Sequence, residues 1–289
     1  METETIHLTS LICDSLNTIC FKIFSSVDNT VYSNLDSILF INSDMINNNK
    51  FQQFLGTDCN NGLLLLANSL ILGILIFYIL HFTVSHLIYS KIDSPYQFLF
   101  KSVIFIACMY SSLWICEGLI HLFSMITDYI REIGYSITGS EITFSNLINT
   151  IHSNLYPSIE NFTIFSFDGI LKMCVTIGMI YILLSYSVRY ILIKILILIS
   201  PFAFISLVCN RFDSFFKGWL KQLLCLLFMQ IFVAIVIVLG FCLDFSASDI
   251  LSKLLYFAII TIIAKCHYNV KEIFAHIFEF SHNQLKNII

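Results

Sequence analysis

The stretch Arg189-Tyr-Ile-Leu-Ile-Lys194-Ile-Leu-Ile-Leu-Ile-Ser200-Pro201-Phe-Ala-Phe-Ile-Ser-Leu-Val-Cys-Asn-Arg211 decides the architecture of this chain. It is apolar enough to enter a bilayer. Yet it carries a cation at each end, a lysine inside and a proline in its middle. A simple anchor needs none of these. The segment has four possible paths: it crosses the membrane, dips in and returns at Pro201, lies along the surface, or prolongs the helix before it.

The rest of the chain says why a membrane is the right solvent. Of 289 residues, 57% are hydrophobic and 12% charged, with a mean hydropathy of +0.84. Soluble domains are nearer 45–50% apolar and roughly 25% charged. The excess lies in long blocks, so the expectation is an all-α, polytopic membrane protein of five to six spans. A net charge of −4 gives no case for a nucleic-acid-binding surface on the chain as a whole. The acidic start, Met1-Glu-Thr-Glu-Thr, is the opposite of a signal peptide's cationic one, so no cleavage is expected. The ten cysteines form no C-x-x-C pair and no Cys/His metal spacing. Most sit in apolar blocks, where Cys behaves as a small hydrophobe, and nothing in the spacing of Cys13, Cys20 and Cys59 requires a disulfide.

Two regions are expected: 1–62, extracytoplasmic with an amphipathic helix on Ile6, Leu8, Leu11, Ile12, Leu16, Ile19 and Ile23, and a helical membrane domain, 63–289. Spans are expected at about Leu63–His86, Ser102–Thr127, Ile164–Ser187, Leu220–Leu243 and, weakly, Asp249–Cys266. An outer loop, 128–163, is expected to hold a short amphipathic helix on Phe144, Leu147, Ile148, Ile151 and Leu155, ended before Pro157. The tail, 267–289, has helical spacing suited to the cytoplasmic membrane surface.

Charge sets the sidedness, because cytoplasmic loops collect Lys and Arg. With the N-terminus outside and the segment 190–208 not crossing, ten of the fifteen cations lie inside: Lys91, Lys101, Arg189, Lys194, Arg211, Lys217, Lys221, Lys265, Lys271 and Lys286. If the segment crosses, six of these move outside. The preferred expectation is therefore five spans, N-out and C-in, with a re-entrant or interfacial segment. Six spans is the first alternative. One long helix running from the third span to Pro201 is the second.

Ionisable residues inside spans are the candidate chemistry. Glu117 and His121 lie four apart and share a helix face, as do Asp168 and Lys172. Each costs about 2.5–3.5 kcal/mol to insert, so each needs a partner. Counted from their outer ends, Glu117 and Lys172 lie roughly 15 and 12 Å deep. An interhelical Glu117–Lys172 pair is thus expected, with His121 and Asp168 nearer the outer surface. A structural pair, a polar substrate path and a proton relay all remain open. His81 and His86 read as interfacial, Trp219 as an interfacial anchor, and Arg189 and Lys194 as snorkelling or lipid- or partner-binding cations. There is no H-E-x-x-H, G-x-S-x-G, P-loop or G-x-G-x-x-G, so no catalytic, cofactor-binding or metal-ligating residue is expected.

The opening segment also carries a resemblance. Arg189-Tyr-x-x-x-Lys194, an apolar run, Ser200-Pro201-Phe-Ala-Phe, Phe212, Phe215-Phe216 and Trp219, followed by Leu220–Leu243, resemble the TrbL-type polytopic inner-membrane subunits of bacterial type IV secretion and conjugation machines. The resemblance covers about 35 residues well and the rest in outline. It implies a non-enzymatic channel or scaffold subunit, a homo-oligomer in the bacterial cytoplasmic membrane. It also implies partners: an ATPase, a bitopic scaffold and a pilin-like subunit, with transient contact to transferred DNA. Arg189, Lys194, Pro201 and Trp219 are the family-pattern positions, and Arg211 decides topology. A small-solute transporter or permease component is the runner-up, and a membrane factor of a phage or mobile element the third reading.

Overall fold

The computed structural model describes residues 35–42, 49–56, 62–87, 95–155, 166–207, 213–243 and 249–286, with isolated positions between 15 and 22 and at 45. Of the apolar positions of the expected N-terminal amphipathic helix only Ile19 is among the described residues, helical and 55% exposed; the other positions, the side chains of His81 and His86, and Cys13, Cys20, Cys59 and Arg211 lie outside them. The described residues are helical and contain no strand: α1 Asn49–Leu55, α2 Leu63–Leu87, α3 Pro95–Tyr110, α4 Ser112–Thr138, α5 Phe144–Leu155, α6 Phe167–Ser206, α7 Asp213–Phe241 and α8 Ile250–Lys286. Residues 35–39 are also helical. Among the described residues four helices are long and apolar enough to cross a membrane: α2, α4, α6 and α7.

The chain divides into two compact units. One holds Met1–Phe40, Met125–Arg189 and Phe228–Ile289; the other holds Ile41–Ser124 and Tyr190–Leu227.

In the first unit, α6 and α8 run parallel and α7 runs against them. Successive contacts fix this: Asp168–Lys253, Gly178–Ile260 and Tyr186–Ile263 ascend together along α6 and α8, whereas Gly240–Ile259 and Met229–Cys266 run in opposite senses along α7 and α8; Gly240 also lies against Leu147 on α5. A Cβ on Gly134 would come within 2.7 Å of Val238 and 2.9 Å of Ile142. These glycines allow close approach without a G-x-x-x-G pattern. The short helix α5 follows the sequence reading, burying Phe144, Leu147, Ile148 and Ile151.

In the second unit, α2 is all but uncovered. Its most apolar stretch is 6% buried, and Leu72, Phe77, Ile79 and Leu80 are each more than 60% exposed. Water would not tolerate such a face, whereas hydrocarbon chains would. Helix α3 opens on Pro95, a residue suited to the first helical position. The expected single span 102–127 is divided at Ser111. Its hydroxyl bonds the carbonyls of Ala107 at 3.1 Å and Cys108 at 3.2 Å, while its N–H keeps its bond to Ala107 at 3.0 Å.

The decisive departure concerns the opening segment. The third span and residues 190–206 form one 40-residue helix, α6, with Pro201 inside it. The chain does not return at Pro201. Nor can one continuous helix supply two crossings in opposite directions, so the six-span alternative is not formed. The long-helix alternative is the one observed.

Candidate functional site

Proline in a helix interior removes an N–H and presses on the carbonyl four residues back. For Pro201 that carbonyl belongs to Ile197. The Ser200 hydroxyl donates to it at 2.7 Å. One residue earlier, the Leu196 carbonyl accepts the Trp219 indole N–H at 2.8 Å. The indole is held in place by Phe204 and Phe216, with ring centroids 5.3–5.7 Å apart in the three pairs. Ser200, Pro201 and Trp219 thus form one device in the second unit: a proline and two side-chain donors that serve the carbonyls around it. The Ser200 hydroxyl thus supplies the donor that Pro201 lacks, and Trp219 adds a second bond one carbonyl earlier. Trp219 is 4% exposed, so it is an internal donor and not the surface anchor expected. Lys194, half-buried, places its ammonium 4.7 Å from the Tyr190 ring centroid and 5.8 Å from that of Phe51, between two aromatic faces.

Arg189 departs further from expectation. It does not snorkel: it is 1% exposed. In the first unit its Nη1 donates to the Leu39 carbonyl at 2.9 Å and its Nη2 to Gln230 Oε1 at 3.4 Å, with the guanidinium over the Tyr186 ring. Leu39 ends the helical residues 35–39, so its carbonyl has no partner within its own turn, and a cation there also meets the negative end of the peptide dipoles. Tyr186 is itself buried and donates to the Ile263 carbonyl on α8. Arg189 therefore joins the N-terminal segment to α6 and α7 at one point.

The same segment is held at two more points. Asp36 accepts from the backbone N–H groups of Phe144 at 2.8 Å and Ser145 at 3.3 Å, and from the Ser145 hydroxyl. Thr143 takes the N–H of Asn146. The first donors of α5 are thus met by an N-cap and by a carboxylate from far away in sequence. Arg131 stacks over Phe40 at 4.7 Å, donates to the Ile142 carbonyl at 2.8 Å and pairs with Asp128 at 3.3 Å. Asp36, Leu39 and Phe40 together form a polar strap across the first unit.

Of the expected intramembrane cluster, Asp168 pairs with Lys253 at 2.7 Å. Both lie in the first turn of their helices, so the pair clasps the starts of α6 and α8 rather than a midplane site. Lys172 is buried one turn below Asp168. Glu117 and His121 belong to the other unit, where Glu117 is half-buried and His121 exposed.

No protein-family model, curated protein or solved structure matches this chain. Among the described residues no group of three His, Cys, Asp or Glu side chains could hold a metal ion, and the described cysteines form no disulfide. What the arrangement does is hold helices together: a fixed guanidinium, a served proline and a carboxylate cap. Sequence reasoning missed Asp36, Tyr186, Gln230 and Lys253 as partners. It also missed Trp114, which is 76% exposed. Single polar residues inside apolar or mixed blocks were the only signal available for them.

Proposed function

We propose that the protein is a non-enzymatic, membrane-embedded channel or scaffold subunit of a bacterial type IV secretion or conjugation apparatus, of TrbL type. The observation that carries this reading is the Ser200–Pro201–Trp219 device. The residues behind the resemblance serve one another physically instead of being scattered over the chain. A subunit of this kind needs rigid helices with apolar lateral faces for lipid and neighbours, and the bare face of α2 suits that role. Its partners in this reading are an ATPase, a bitopic scaffold and a pilin-like subunit, and transferred DNA passes close by.

In the finer version of the proposal, the first half of α8 is a fifth crossing and the protein is N-out and C-in in the cytoplasmic membrane. The parallel run of α6 and α8 against α7 supports that alternation. Two experiments test the proposal. Cross-linking in native membranes followed by purification of the chain is expected to recover a secretion ATPase and a pilin-like protein; reconstituted chain that moves a small solute by itself would overturn the reading. Cysteine at Ser214, in a chain without native cysteines, is expected to resist an impermeant external thiol reagent, and rapid labelling would reverse the sidedness.

A further inference from the structure

Helix α4 has two unlike faces. Cys116, Ile120, Thr127 and Gly134 point inward, the first three no more than 2% exposed. Trp114, Gly118, His121 and Met125 point outward, with Glu117 half-buried at the edge of that face. Among the described residues neither Glu117 nor His121 makes a hydrogen bond or ion pair. In a span long and apolar enough to cross a membrane, lipid tails offer these groups no partner. The contrast with α2 is instructive: its outward face is Leu, Ile and Phe, which lipid satisfies.

We propose that the outward face of α4 is the seam between two copies of this chain in the membrane. Copies inserted by one route share an orientation, so two α4 helices meet in parallel about a two-fold axis along the membrane normal. Four residues of helix rise about 6 Å. Glu117 of one copy then reaches His121 of the other, as one-turn offsets do between parallel coiled-coil helices, and symmetry supplies the reverse pair. Each carboxylate accepts an imidazole N–H, so each copy brings one donor and one acceptor to the seam. The face is complementary to itself, which a face carrying two acids or two bases is not. Gly118 lies between them in sequence, and a Cβ there meets nothing within 4 Å in the protomer. The position is open, and a small residue at a crossing lets two backbones approach. This inference rests on α4 as a membrane span and stands apart from the secretion reading.

The test uses the full chain in native membranes. Gly118→Cys, in a chain without native cysteines, is expected to give an oxidised dimer at least tenfold more than Leu80→Cys on the bare face of α2. His121→Glu sets carboxylates against carboxylates and is expected to lower the dimer fraction at least fivefold; adding Glu117→His restores it. Gly118→Leu, which the protomer accommodates, is expected to leave a folded monomer in mild detergent. Equal cross-linking at positions 118 and 80, a covalent adduct to another protein in place of the dimer, an unrescued swap in folded protein, or an intact dimer with Gly118→Leu would each overturn the seam.

Discussion

Replacing Arg189 with methionine tests how much one buried guanidinium holds together. The methionine fills much of the same volume and removes the charge. Burying a charge is costly, and apolar replacements of buried ion pairs are often neutral or stabilising. That outcome requires both sides of the interaction to become apolar. Here the Leu39 carbonyl and the Gln230 side chain stay behind. The 2.9 Å bond to Leu39 is charge-assisted and contributes about 1.5–3 kcal/mol. The 3.4 Å bond to Gln230 is long, and the amide can turn, so about 0.5 kcal/mol is a fair share. Stacking over Tyr186 adds about 0.5–1 kcal/mol. The expected loss is thus about 3 kcal/mol, roughly a hundredfold in the unfolding equilibrium at 1.4 kcal/mol per decade. Arg189→Lys keeps a donor to one acceptor and is expected to lose about half as much. The assay is reversible unfolding of the purified chain in mixed micelles, followed by circular dichroism, with cleavage near residues 35–40 as a local probe. Full stability with Arg189→Met, or protection of residues 35–40 equal to that of the unmodified chain, would refute the reasoning.

Other substitutions probe the remaining contacts. Trp219→Phe keeps most of the ring and loses the donor to Leu196, at a cost of about 1–3 kcal/mol. Ser200→Ala removes the donor to the Ile197 carbonyl, which Pro201 leaves without its ladder N–H; in a Pro201→Ala background that N–H is restored, so the cost of Ser200→Ala is expected to fall by at least about 0.5 kcal/mol in a double-mutant cycle. Asp36→Ala uncaps α5 and is expected to cost about 1–2 kcal/mol, with faster hydrogen exchange at Phe144 and Ser145 than elsewhere in α5. Asp168 is half exposed at its pair with Lys253, so a double-mutant cycle there is expected to give under about 1 kcal/mol and to weaken with salt. Gly134→Ala is expected to destabilise by about 1–3 kcal/mol, because its Cβ meets Val238 and Ile142, whereas Gly118→Ala leaves the protomer unchanged.

Apolar length and period carried much of the fold. The run from Leu63 and the amphipathic spacing from Phe144 to Leu155 need no partner to be read, and both became the helices expected. What could not be read depended on repair or on distance. Pro201 is a breaker by every local rule, yet α6 runs through it, with the Ser200 hydroxyl serving the carbonyl that the proline leaves without a donor. The break at Ser111 has no Gly or Pro to announce it. Arg189 reads as an interfacial cation because nothing nearby in sequence suggests the Leu39 carbonyl, 150 residues earlier. Depth matched Lys172 to Glu117, and nothing in the sequence pointed Asp168 to Lys253, whose helix starts beside its own in space alone.

That separation sets the timing of assembly. At roughly 5–20 residues per second of synthesis, the chain makes Leu39 about 8–30 s before Arg189 exists to bind it. Asp36 likewise precedes the helix it caps by 108 residues. The strap is therefore made before the residues it binds and docks only once they exist. The contacts of Asp36 and Leu39 can close only after α5 and Arg189 have been synthesised, so these two residues register the arrival of elements far downstream.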